Sequence, residues 1–414
     1  MQCSPQRKTE AEEPVTMKNL GTSENPMNRP LNIVAGESIP YIQEAFGNLG
    51  NLSFFAGRAI TASVLKDTHI LLIRSITPID EALLNGTPVE FVGSASAGTD
   101  HMDTTYLQSN TIRYCSASGC NANSVAEYVI AALLHLAQQQ NISLEGKTIG
   151  IVGVGNIGKL VKIKAEALGL QPILNDPFLA ERNEIDHHSL KETLGCDIVT
   201  LHTPLTIDGP YPTYHLLNNH TFKWLKPSTI FINAARGEVV NTQALLEAIS
   251  HTRIGPTIID VWEHEPDINW DLFQAVTLGT PHIAGHSLDG KANGTFMIYA
   301  ALCKHLDITP RWNPVQALPS PIVPLIEVNT PLRSDQEQIR EIVSKIYNIE
   351  ADYHCMKELF RKSPTERPTL FDALRKNYPV RREFHQTTVT LTKSNSWLQQ
   401  IIRGLGFSEI SEER

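Results

Sequence analysis

Residues 148–169 read TIGIVGVGNIGKLVKIKAEALG, and this stretch decides the fold of the central part of the chain. An apolar run of strand length comes first, and the residues after the glycines have the apolar spacing of a helix. In the hexapeptide GVGNIG between them, the first glycine allows a tight turn and the second admits a phosphate close to the backbone. The third lets helix and strand pack closely, so the motif predicts a dinucleotide pyrophosphate at the helix N-terminus. The predicted cofactor-binding residues of this motif are Gly153, Gly155, Asn156, Ile157 and Gly158.

A carboxylate follows this motif at the position where a dinucleotide's ribose is bound. The next apolar run, PILND, ends at Asp176, 18 residues after Gly158. A carboxylate there accepts hydrogen bonds from the ribose hydroxyls and repels a 2′-phosphate, and arginine does not follow it directly. The sequence therefore predicts NAD rather than NADP. The alternative is a glycine turn with an unrelated surface aspartate.

Apolar runs of strand length alternate with helical stretches on both sides of this motif. LNIVAG, HILLIRS, VEFVGSASAG and TIRYCSAS precede it, and PILND, DIVTLHTP, TIFINAA and PTIIDVW follow it. This alternation predicts an α/β fold with two doubly wound parallel-sheet domains, one flavodoxin-like and one Rossmann. The first covers residues 31–120 and takes back a helix at about 287–310, and the second covers 121–286. A long helix is predicted at Asn123–Gln140, with Ser124 and Glu127 as its capping box.

The two ends of the chain read differently. Residues 1–30 are polar and lack the apolar core of a secretory signal, so we expect a disordered extension, unless the start codon is misassigned. A proline-rich linker is predicted at 311–332. Residues 333–414 are expected to form a small α+β module containing the helix DQEQIREIVSKIYNI and the strand FHQTTVTLT.

Composition limits the kind of partner. The 414 residues are 41% hydrophobic and 19% charged, with a net charge of -9, which excludes a global nucleic-acid footprint. Apolar runs are too short to cross a membrane, and the six cysteines lack CxxC spacing. We therefore expect a cytoplasmic protein with reduced thiols, whose basic site is local and suits a small anion.

Titratable residues follow three predicted strands of the second domain. Arg236 comes first, the segment DVWEHEP supplies Asp260 and Glu265, and TPHIAG supplies His282. The carboxyl ends of parallel strands are where α/β domains bind ligands. This order behind a GxGxxG motif resembles the D-2-hydroxyacid dehydrogenase family over about 250 residues. The segments VGSASAGTDHMD and CNANSVAEYV also resemble that family's substrate loop and interdomain helix.

The resemblance implies an oxidation of a secondary alcohol next to a carboxylate, with hydride passing to NAD. His282 is then the base, because imidazole titrates near neutral pH, and Glu265 fixes its tautomer and stabilises the imidazolium. Arg236 grips the substrate carboxylate through its planar fork. Asp260 resembles the residue that holds the nicotinamide carboxamide. The resemblance adds three further cofactor contacts, Thr203, Ala235 and Gly285.

Within the family, several segments favour a phosphorylated four-carbon acid as the substrate. IRSIT resembles a substrate-binding strand end, DGPY is an insertion that the wider family usually lacks, and FDALRKNYPVRREF resembles a dimerisation module. The resemblance assigns substrate contacts to Ser75 and Ser96 and predicts a homodimer. Arg74 is a candidate for the second anion site, or an ordinary surface arginine.

The roles of His286 and of the pair Arg381 and Arg382 have more than one interpretation. His286 stands where the similar enzymes have tyrosine, so we expect it to contact substrate and to make activity pH-sensitive below about 6.5. Arg381 and Arg382 either reach the active site of a partner subunit or lie on a solvated or interfacial face. On a helix, His282 and His286 could share a metal, but the proline and glycine around them argue against a helix, and we expect no metal.

Two alternatives to this function remain at this point. One is a D-2-hydroxyacid dehydrogenase for another acid, such as 3-phosphoglycerate, whose C-terminal regulatory module would read β-α-β-β-α-β. The other is an NAD-sensing binding protein on the same fold, which could keep Arg236, Glu265 and His282.

Overall fold

The computed structural model describes residues 30–328, 334–391 and 396–412. The N-terminal extension predicted for residues 1–30 lies, apart from Pro30, outside the described residues. Among the helices of the described residues, none is long and apolar enough to cross a membrane.

The first domain is a parallel sheet covered by short helices. Its strands are β1 (Asn32–Gly36), β2 (Asn51–Phe55), β3 (Ile70–Ile73), β4 (Phe91–Ser94) and β5 (Arg113–Ser116). Its helices are α1 (Ile42–Phe46), α2 (Glu81–Leu84) and α3 (Thr104–Ser109). The strand order β2-β1-β3-β4-β5 confirms a doubly wound sheet. Every residue of β3 is buried, because a central parallel strand has helices on both faces.

The second domain repeats this plan with a longer sheet. Its strands are β6 (Thr148–Val152), β7 (Gln171–Asn175), β8 (Ile198–Leu201), β9 (Ile230–Asn233), β10 (Thr257–Ile259) and β11 (Leu278–Gly279). Its helices are α4 (Ala122–Gln139), α5 (Asn156–Ala167), α6 (Pro177–Glu181), α7 (Leu190–Leu194), α8 (Thr242–Ser250) and α9 (Trp270–Ala275). The order β7-β6-β8-β9-β10-β11 reverses direction between β6 and β8, and such a switch point opens a crevice for a ligand.

The start of α4 corrects a prediction. Ser124 and Glu127 do not form a capping box, because both lie inside the helix, which begins at Ala122. The Ser124 hydroxyl donates to the Glu383 carboxylate at 2.7 Å, and a Glu127 oxygen accepts from the Phe384 backbone N–H at 2.9 Å. The two side chains therefore join α4 to the C-terminal part of the chain.

A long helix returns to the first domain after the second sheet. It is α10 (Leu288–His305), and the Ser287 hydroxyl caps it by accepting from the Gly290 N–H at 2.8 Å. Ile298 and Leu302 are buried in one core with Phe46 and Phe91 of the first domain. The helix thus begins after the loop that follows β11 of the second domain and packs on the sheet of the first domain.

The C-terminal module is a small parallel sheet with helices. Its elements are β12 (Leu325–Val328), α11 (Asp335–Ile346), α12 (Ile349–Phe360), α13 (Arg367–Lys376), β13 (Thr388–Leu391), α14 (Ser396–Leu405) and β14 (Ser408–Glu412). The sheet order is β12-β13-β14, and α11 and β13 confirm the helix and the strand predicted there. However, β12 lies inside the stretch 311–332 that was predicted to be a linker, so the module begins earlier than expected.

The module packs on both faces of the second domain. On one face, Ile339 and Val343 of α11 join the core formed by α4 and α5. On the other, Phe371 of α13 is buried with Phe273 of α9 and with Met356. Apolar burial on both faces fixes the orientation of α13 relative to the second sheet.

Removing the Phe371 side chain tests this attachment. We expect Phe371→Ala to destabilise the folded chain by about 3–5 kcal/mol, because it leaves a cavity under α13. Thermal unfolding measures the change. Val315→Ala is the control, because Val315 is 76% exposed and its truncation should change stability by less than about 0.5 kcal/mol. Equal shifts in the two variants would contradict the packing described.

Candidate active site

The glycine-rich loop between β6 and α5 is shaped by its own packing. Gly153 has φ +87°, and a Cβ there would lie 2.7 Å from the His202 carbonyl carbon. A Cβ on Gly158 would lie 2.1 Å from the Gly153 oxygen, so the loop needs both glycines for its own fold. Around Gly155, by contrast, no described atom comes within 4 Å of an added Cβ. The loop therefore leaves its open side at the N-terminus of α5, where a pyrophosphate fits.

The ends of β7 and β8 supply polar groups to the same crevice. One oxygen of Asp176 accepts from the Val154 N–H at 2.9 Å, and the other accepts from the Leu179 N–H at 3.1 Å. Each oxygen keeps a second lone pair that a ribose hydroxyl can use. The Thr203 hydroxyl is buried without a partner among the described residues, as expected of a group that a cofactor satisfies. These residues fit NAD.

Glu265 and His282 form the predicted pair. A Glu265 oxygen lies 2.7 Å from His282 Nδ1, and the other accepts from the Trp262 N–H at 2.9 Å. Since Nδ1 is held by the carboxylate, Nε2 is the nitrogen left for the cleft, which His282 lines. His282 has φ +55°, a strained backbone conformation that recurs at functional sites.

The charge state of Glu265 follows from its neighbours. Burial by itself raises the pKa of this carboxyl, but His282, Arg375 and the Trp262 N–H together lower the pKa below its usual value. Glu265 is therefore ionised at neutral pH. A carboxylate at hydrogen-bond distance stabilises the imidazolium that forms when His282 takes a proton.

Arg236 follows β9 and points towards the first domain. Its Nε donates to an Asp100 oxygen at 3.0 Å and its Nη1 to the Ala235 carbonyl at 2.8 Å. A Cβ on Gly98 would lie 2.2 Å from Nη2, so only glycine leaves room for the guanidinium. Gly98 and Asp100 belong to the quoted VGSASAGTDHMD segment, but the sequence alone did not assign them a role.

Asp260 holds the loop that carries His282. Its buried carboxylate accepts from the Thr280 hydroxyl at 2.6 Å and from the N–H groups of Ile283 and Ala284 at 2.8 and 2.9 Å. These bonds fix the loop that carries His282. Asp260 also lines the cleft, and its contact with a carboxamide stays a prediction.

A cleft of about 250 Å³ between the two domains brings many of the predicted residues together. The Ser75 N–H donates to the Ser96 hydroxyl at 3.0 Å, which joins two strand ends of the first domain. The predicted residues that line the cleft are Arg74, Ser75, Ser96, Ile157, Ala235, Arg236, Asp260, His282, Gly285 and His286. The other predicted cofactor residues, Gly153, Gly155, Asn156, Gly158, Asp176 and Thr203, lie outside this lining, at the ends of β6, β7 and β8.

Positive charge is concentrated at one side of this cleft. Lys291 and Arg375 line it beside Arg74, and the sequence analysis had not singled out either of them. Burial lowers the pKa of Arg74, and the charge of Arg375 lowers it further. Burial, with the charges of Arg74 and Arg381, lowers the pKa of Lys291 to about 8. Because these cations repel one another, an anion that binds among them is stabilised.

His286 is a buried ring beside the cations of the cleft. Burial, followed by the charges of Lys291, Arg74 and Arg375, lowers the pKa of His286 well below its usual value. The ring packs edge-on against Tyr378, with centroids 5.8 Å apart. The pKa of the ring therefore lies further below 6.5 than an ordinary histidine's, and the predicted sensitivity of activity to pH below about 6.5 stays a prediction. His286 does line the cleft, so a contact with substrate stays a prediction.

Arg381 and Arg382 are used inside the chain. Arg381 donates to the Ala284 carbonyl and lies over the Tyr347 ring, 4.2 Å from its centroid. Arg382 forms a two-pronged ion pair with Asp289, at 2.9 Å for both bonds. Both are buried within the chain, so they do not form a solvated face, and a contact with the active site of a partner subunit stays a prediction.

The metal hypothesis for the two histidines fails on geometry. The backbone between His282 and His286 is not helical, so the four-residue spacing does not place the rings on one face. Within residues 30–328, 334–391 and 396–412, His, Cys, Asp and Glu side chains form no group of three or more that could hold a metal ion.

Known proteins resemble the chain at three levels. Residues 130–284 match the family described as D-isomer specific 2-hydroxyacid dehydrogenase, NAD binding domain, and residues 317–406 match a domain of unknown function, DUF3410. An erythronate-4-phosphate dehydrogenase of Cellvibrio japonicus is 41% identical over 384 residues, covering 91% of this chain and 99% of the relative. The enzyme of that name from Escherichia coli O1:K1 / APEC is 39% identical over 382 residues, covering 92% and 99%.

Solved structures share the fold. D-lactate dehydrogenase from Aquifex aeolicus, complexed with NAD and lactic acid, has a TM-score of 0.56 at 22% identity, covering 67% of this chain and 96% of that one. NAD-bound 3-phosphoglycerate dehydrogenase of Entamoeba histolytica has a TM-score of 0.58 at 23% identity, covering 69% and 99%. At these identities the likeness concerns the architecture of the two α/β domains.

The role of Asp176 can be tested by cofactor preference. We expect Asp176→Ser to reduce the preference for NADH over NADPH by about tenfold or more, because the carboxylate that repels a 2′-phosphate is gone. A serine hydroxyl at position 176 can still accept from the Leu179 N–H and so cap α6. Fluorescence titration with both cofactors measures the ratio, and Asp186→Ser, on the exposed surface nearby, is the control. An unchanged ratio in Asp176→Ser would contradict the assignment.

Proposed function

The chain belongs to the D-isomer specific 2-hydroxyacid dehydrogenase family and is an NAD-dependent oxidoreductase, and from this premise we propose that it oxidises 4-phospho-D-erythronate. The product is 3-hydroxy-2-oxo-4-phosphooxybutanoate, and we place the reaction in the biosynthesis of pyridoxal 5′-phosphate. The observation that carries the proposal is a single cleft that combines Arg236 and His282, which is hydrogen-bonded to Glu265, with a second group of cations. The names of the relatives support the same substrate.

Arg236 is the proposed carboxylate clamp. Its side chain is 31% exposed and lines the cleft, and its Nη2 lies beside Gly98, where the absence of a side chain leaves space. The planar fork of arginine matches a carboxylate, and the charge also polarises the adjacent C2 oxygen. Ser96, hydrogen-bonded to the Ser75 N–H, is proposed to contact the substrate from the first domain.

Arg74 and Lys291 are the proposed ligands of a second anion. A substrate such as lactate, with only a carboxylate, would leave these partly buried cations without a counter-charge when the cleft closes. Buried charges without partners are costly, so this cleft favours a substrate that carries two anions. The phosphate of 4-phospho-D-erythronate supplies the second.

His282 is the proposed base. When bound, NAD supplies the carbon that accepts the hydride. His282 Nε2 takes the proton of the C2 hydroxyl, and the Glu265 carboxylate at Nδ1 stabilises the resulting imidazolium. Arg236 holds the carboxylate, so that the C2–H bond is oriented towards the cofactor side of the cleft. Asp260 keeps the His282 loop in place.

We also propose a role for each domain, an oligomeric state and a location in the cell. The first domain with α10 binds substrate, and the second domain binds NAD. The C-terminal module is proposed to form a homodimer, which is supported by large exposed apolar side chains at Leu325, Val380 and Trp397. The described cysteines are free thiols, in keeping with a cytoplasmic location.

A substrate comparison tests the proposal. We expect NAD reduction with 4-phospho-D-erythronate at a kcat/KM at least about 100-fold above that with 3-phosphoglycerate. His282→Ala should lose at least about 100-fold in kcat while NAD binding is retained, since only the base is removed. The control is His187→Ala, an exposed histidine of the second domain.

Two outcomes of this comparison would contradict the proposal. Faster oxidation of 3-phosphoglycerate would indicate another acid as the substrate. No turnover with any 2-hydroxy or 2-oxo acid would favour the NAD-sensing binding protein.

Lys291 makes the second anion site sensitive to alkaline pH. Its lowered pKa means that the ammonium loses its charge as pH rises through about 8, not near the usual 10.5. We therefore expect kcat/KM for the phosphorylated substrate to fall above pH 8, by about tenfold when the charge is lost. In Lys291→Gln, kcat/KM should be low and should not change over this pH range. Lys304→Gln removes an exposed lysine of the same helix, and its kcat/KM should follow the wild type. If kcat/KM of Lys291→Gln fell above pH 8 as it does in the wild type, the assignment to Lys291 would be contradicted.

A further inference from the structure

Arg375 brings the C-terminal module into the cleft. It lies on α13, within the segment 317–406 that matches a domain of unknown function, and it lines the same cleft as Arg74, Lys291 and His282. It is far in sequence from the other residues of the site, the nearest in the chain being Lys291. The module is thus a third contributor of side chains, beside the two α/β domains.

The position of α13 is fixed from two sides. Its buried Phe371 packs in the core of the second domain. Towards the first domain, Asp372 pairs with Arg58 at 3.1 Å and Lys376 with Glu37 at 3.9 Å. Arg375 lies between these contacts on the same short helix. Its guanidinium is therefore held at the boundary of both domains.

The guanidinium of Arg375 is incompletely hydrogen-bonded within the part of the chain that the structure describes. Its nearest carboxylate is Glu265, at 3.8 Å from Nη1, and Asp372 follows at 3.9 Å, both beyond hydrogen-bond distance. Its Nε is buried without a hydrogen-bond partner among the described residues. A buried donor without an acceptor is costly and is commonly satisfied by a ligand at a functional site.

The surroundings of Arg375 define the ligand's chemistry. The lining carboxylates Asp100 and Asp260 already bind Arg236 and the His282 loop, so they do not neutralise this side of the cleft. Arg74, Lys291 and Arg375 thus share a region with excess positive charge. A dianionic phosphate ester offers several acceptor oxygens and matches a guanidinium fork.

We propose that Arg375 binds the phosphate of the substrate and determines that the enzyme selects a phosphorylated acid. The inference rests on the proposed function, which it deepens. It gives the C-terminal module a role inside the active site of its own chain, in addition to any role in assembly. If the module lacked this arginine, only residues of the two α/β domains would bind the phosphate.

A different role for Arg375 predicts different kinetics. Its charge is near Glu265, so it could act only by keeping Glu265 ionised beside His282. In that case its loss would reduce kcat equally for phosphorylated and unphosphorylated substrates. A phosphate ligand, by contrast, affects only the substrate that carries the phosphate.

The experiment compares Arg375→Gln, Arg375→Lys and wild type on two substrates, 4-phospho-D-erythronate and D-erythronate. For Arg375→Gln we expect kcat/KM with the phosphorylated acid to fall by about 100-fold or more, because a charge-assisted bidentate contact is lost. With D-erythronate the change should stay within about threefold. Arg375→Lys should recover part of the loss, since it restores charge but not the fork.

Two controls make the result decisive. Arg361→Gln removes an exposed arginine of the same module and should match wild type on both substrates. Thermal unfolding establishes that Arg375→Gln is folded. Calorimetry of inorganic phosphate with the NAD-loaded protein adds a test without turnover, and Arg375→Gln should weaken phosphate binding by about tenfold or more.

The outcomes separate this inference from the proposed function. An equal loss on both substrates, or unchanged kinetics and phosphate affinity in Arg375→Gln, would overturn the role of Arg375. If wild type fails to oxidise 4-phospho-D-erythronate, the proposed function falls. Weaker phosphate binding by Arg375→Gln would in that case still support an anion site at Arg375.

Discussion

The buried carboxylate of Glu383 connects the parts of the chain that surround the active site. One of its oxygens accepts from the hydroxyls of Ser124 and Ser287, at 2.7 and 2.8 Å, and the other accepts from the Asn123 amide at 2.7 Å. Ser124 belongs to the long helix between the two α/β domains, and Ser287 begins the helix that follows the His286 loop. A buried carboxylate must be fully hydrogen-bonded, so these three segments are held in one arrangement.

A second carboxylate beside it shows how the arrangement avoids repulsion. The Asn123 amide also donates to Glu127 at 2.9 Å, so two carboxyl groups share one donor. Burial, and then the charge of Glu383, raises the pKa of Glu127 to about 8. The raised pKa favours the protonated form of Glu127, which reduces its repulsion with Glu383. The C-terminal module, which contains Glu383, is fixed to the second domain by this network as well as by apolar packing.

The site depends on this fixed arrangement because its residues come from distant segments. Glu265 and His282 meet through strands of one sheet, but Arg74 comes from the first domain and Arg375 from the C-terminal module. Their guanidinium groups repel each other and are partly removed from water, which costs free energy in the unliganded protein. Rigid packing of the second domain and the module is what keeps these charges together until an anion binds.

The sequence predicted those parts of the site that lie in short local motifs. The glycines of residues 153–158, Asp176 and the segments containing Glu265 and His282 each follow one strand, so strand order alone places them at one edge. Arg375 has no such motif, because its position depends on how α13 packs. Local pattern also misled: Ser124 and Glu127 have capping-box spacing, yet tertiary partners at Glu383 and Phe384 bind them inside the helix. The strand β12 was missed because prolines flank it.

We propose that one cleft holds the carboxylate and the phosphate of the substrate at separate cationic ends, with His282 at the reacting carbon. The most direct measurement is a crystal structure of His282→Ala with NAD and 4-phospho-D-erythronate bound. We expect the carboxylate on Arg236 and the phosphate at hydrogen-bond distance from Arg74, Lys291 and Arg375. A phosphate directed into solvent, or bound to Arg236 in place of the carboxylate, would contradict it.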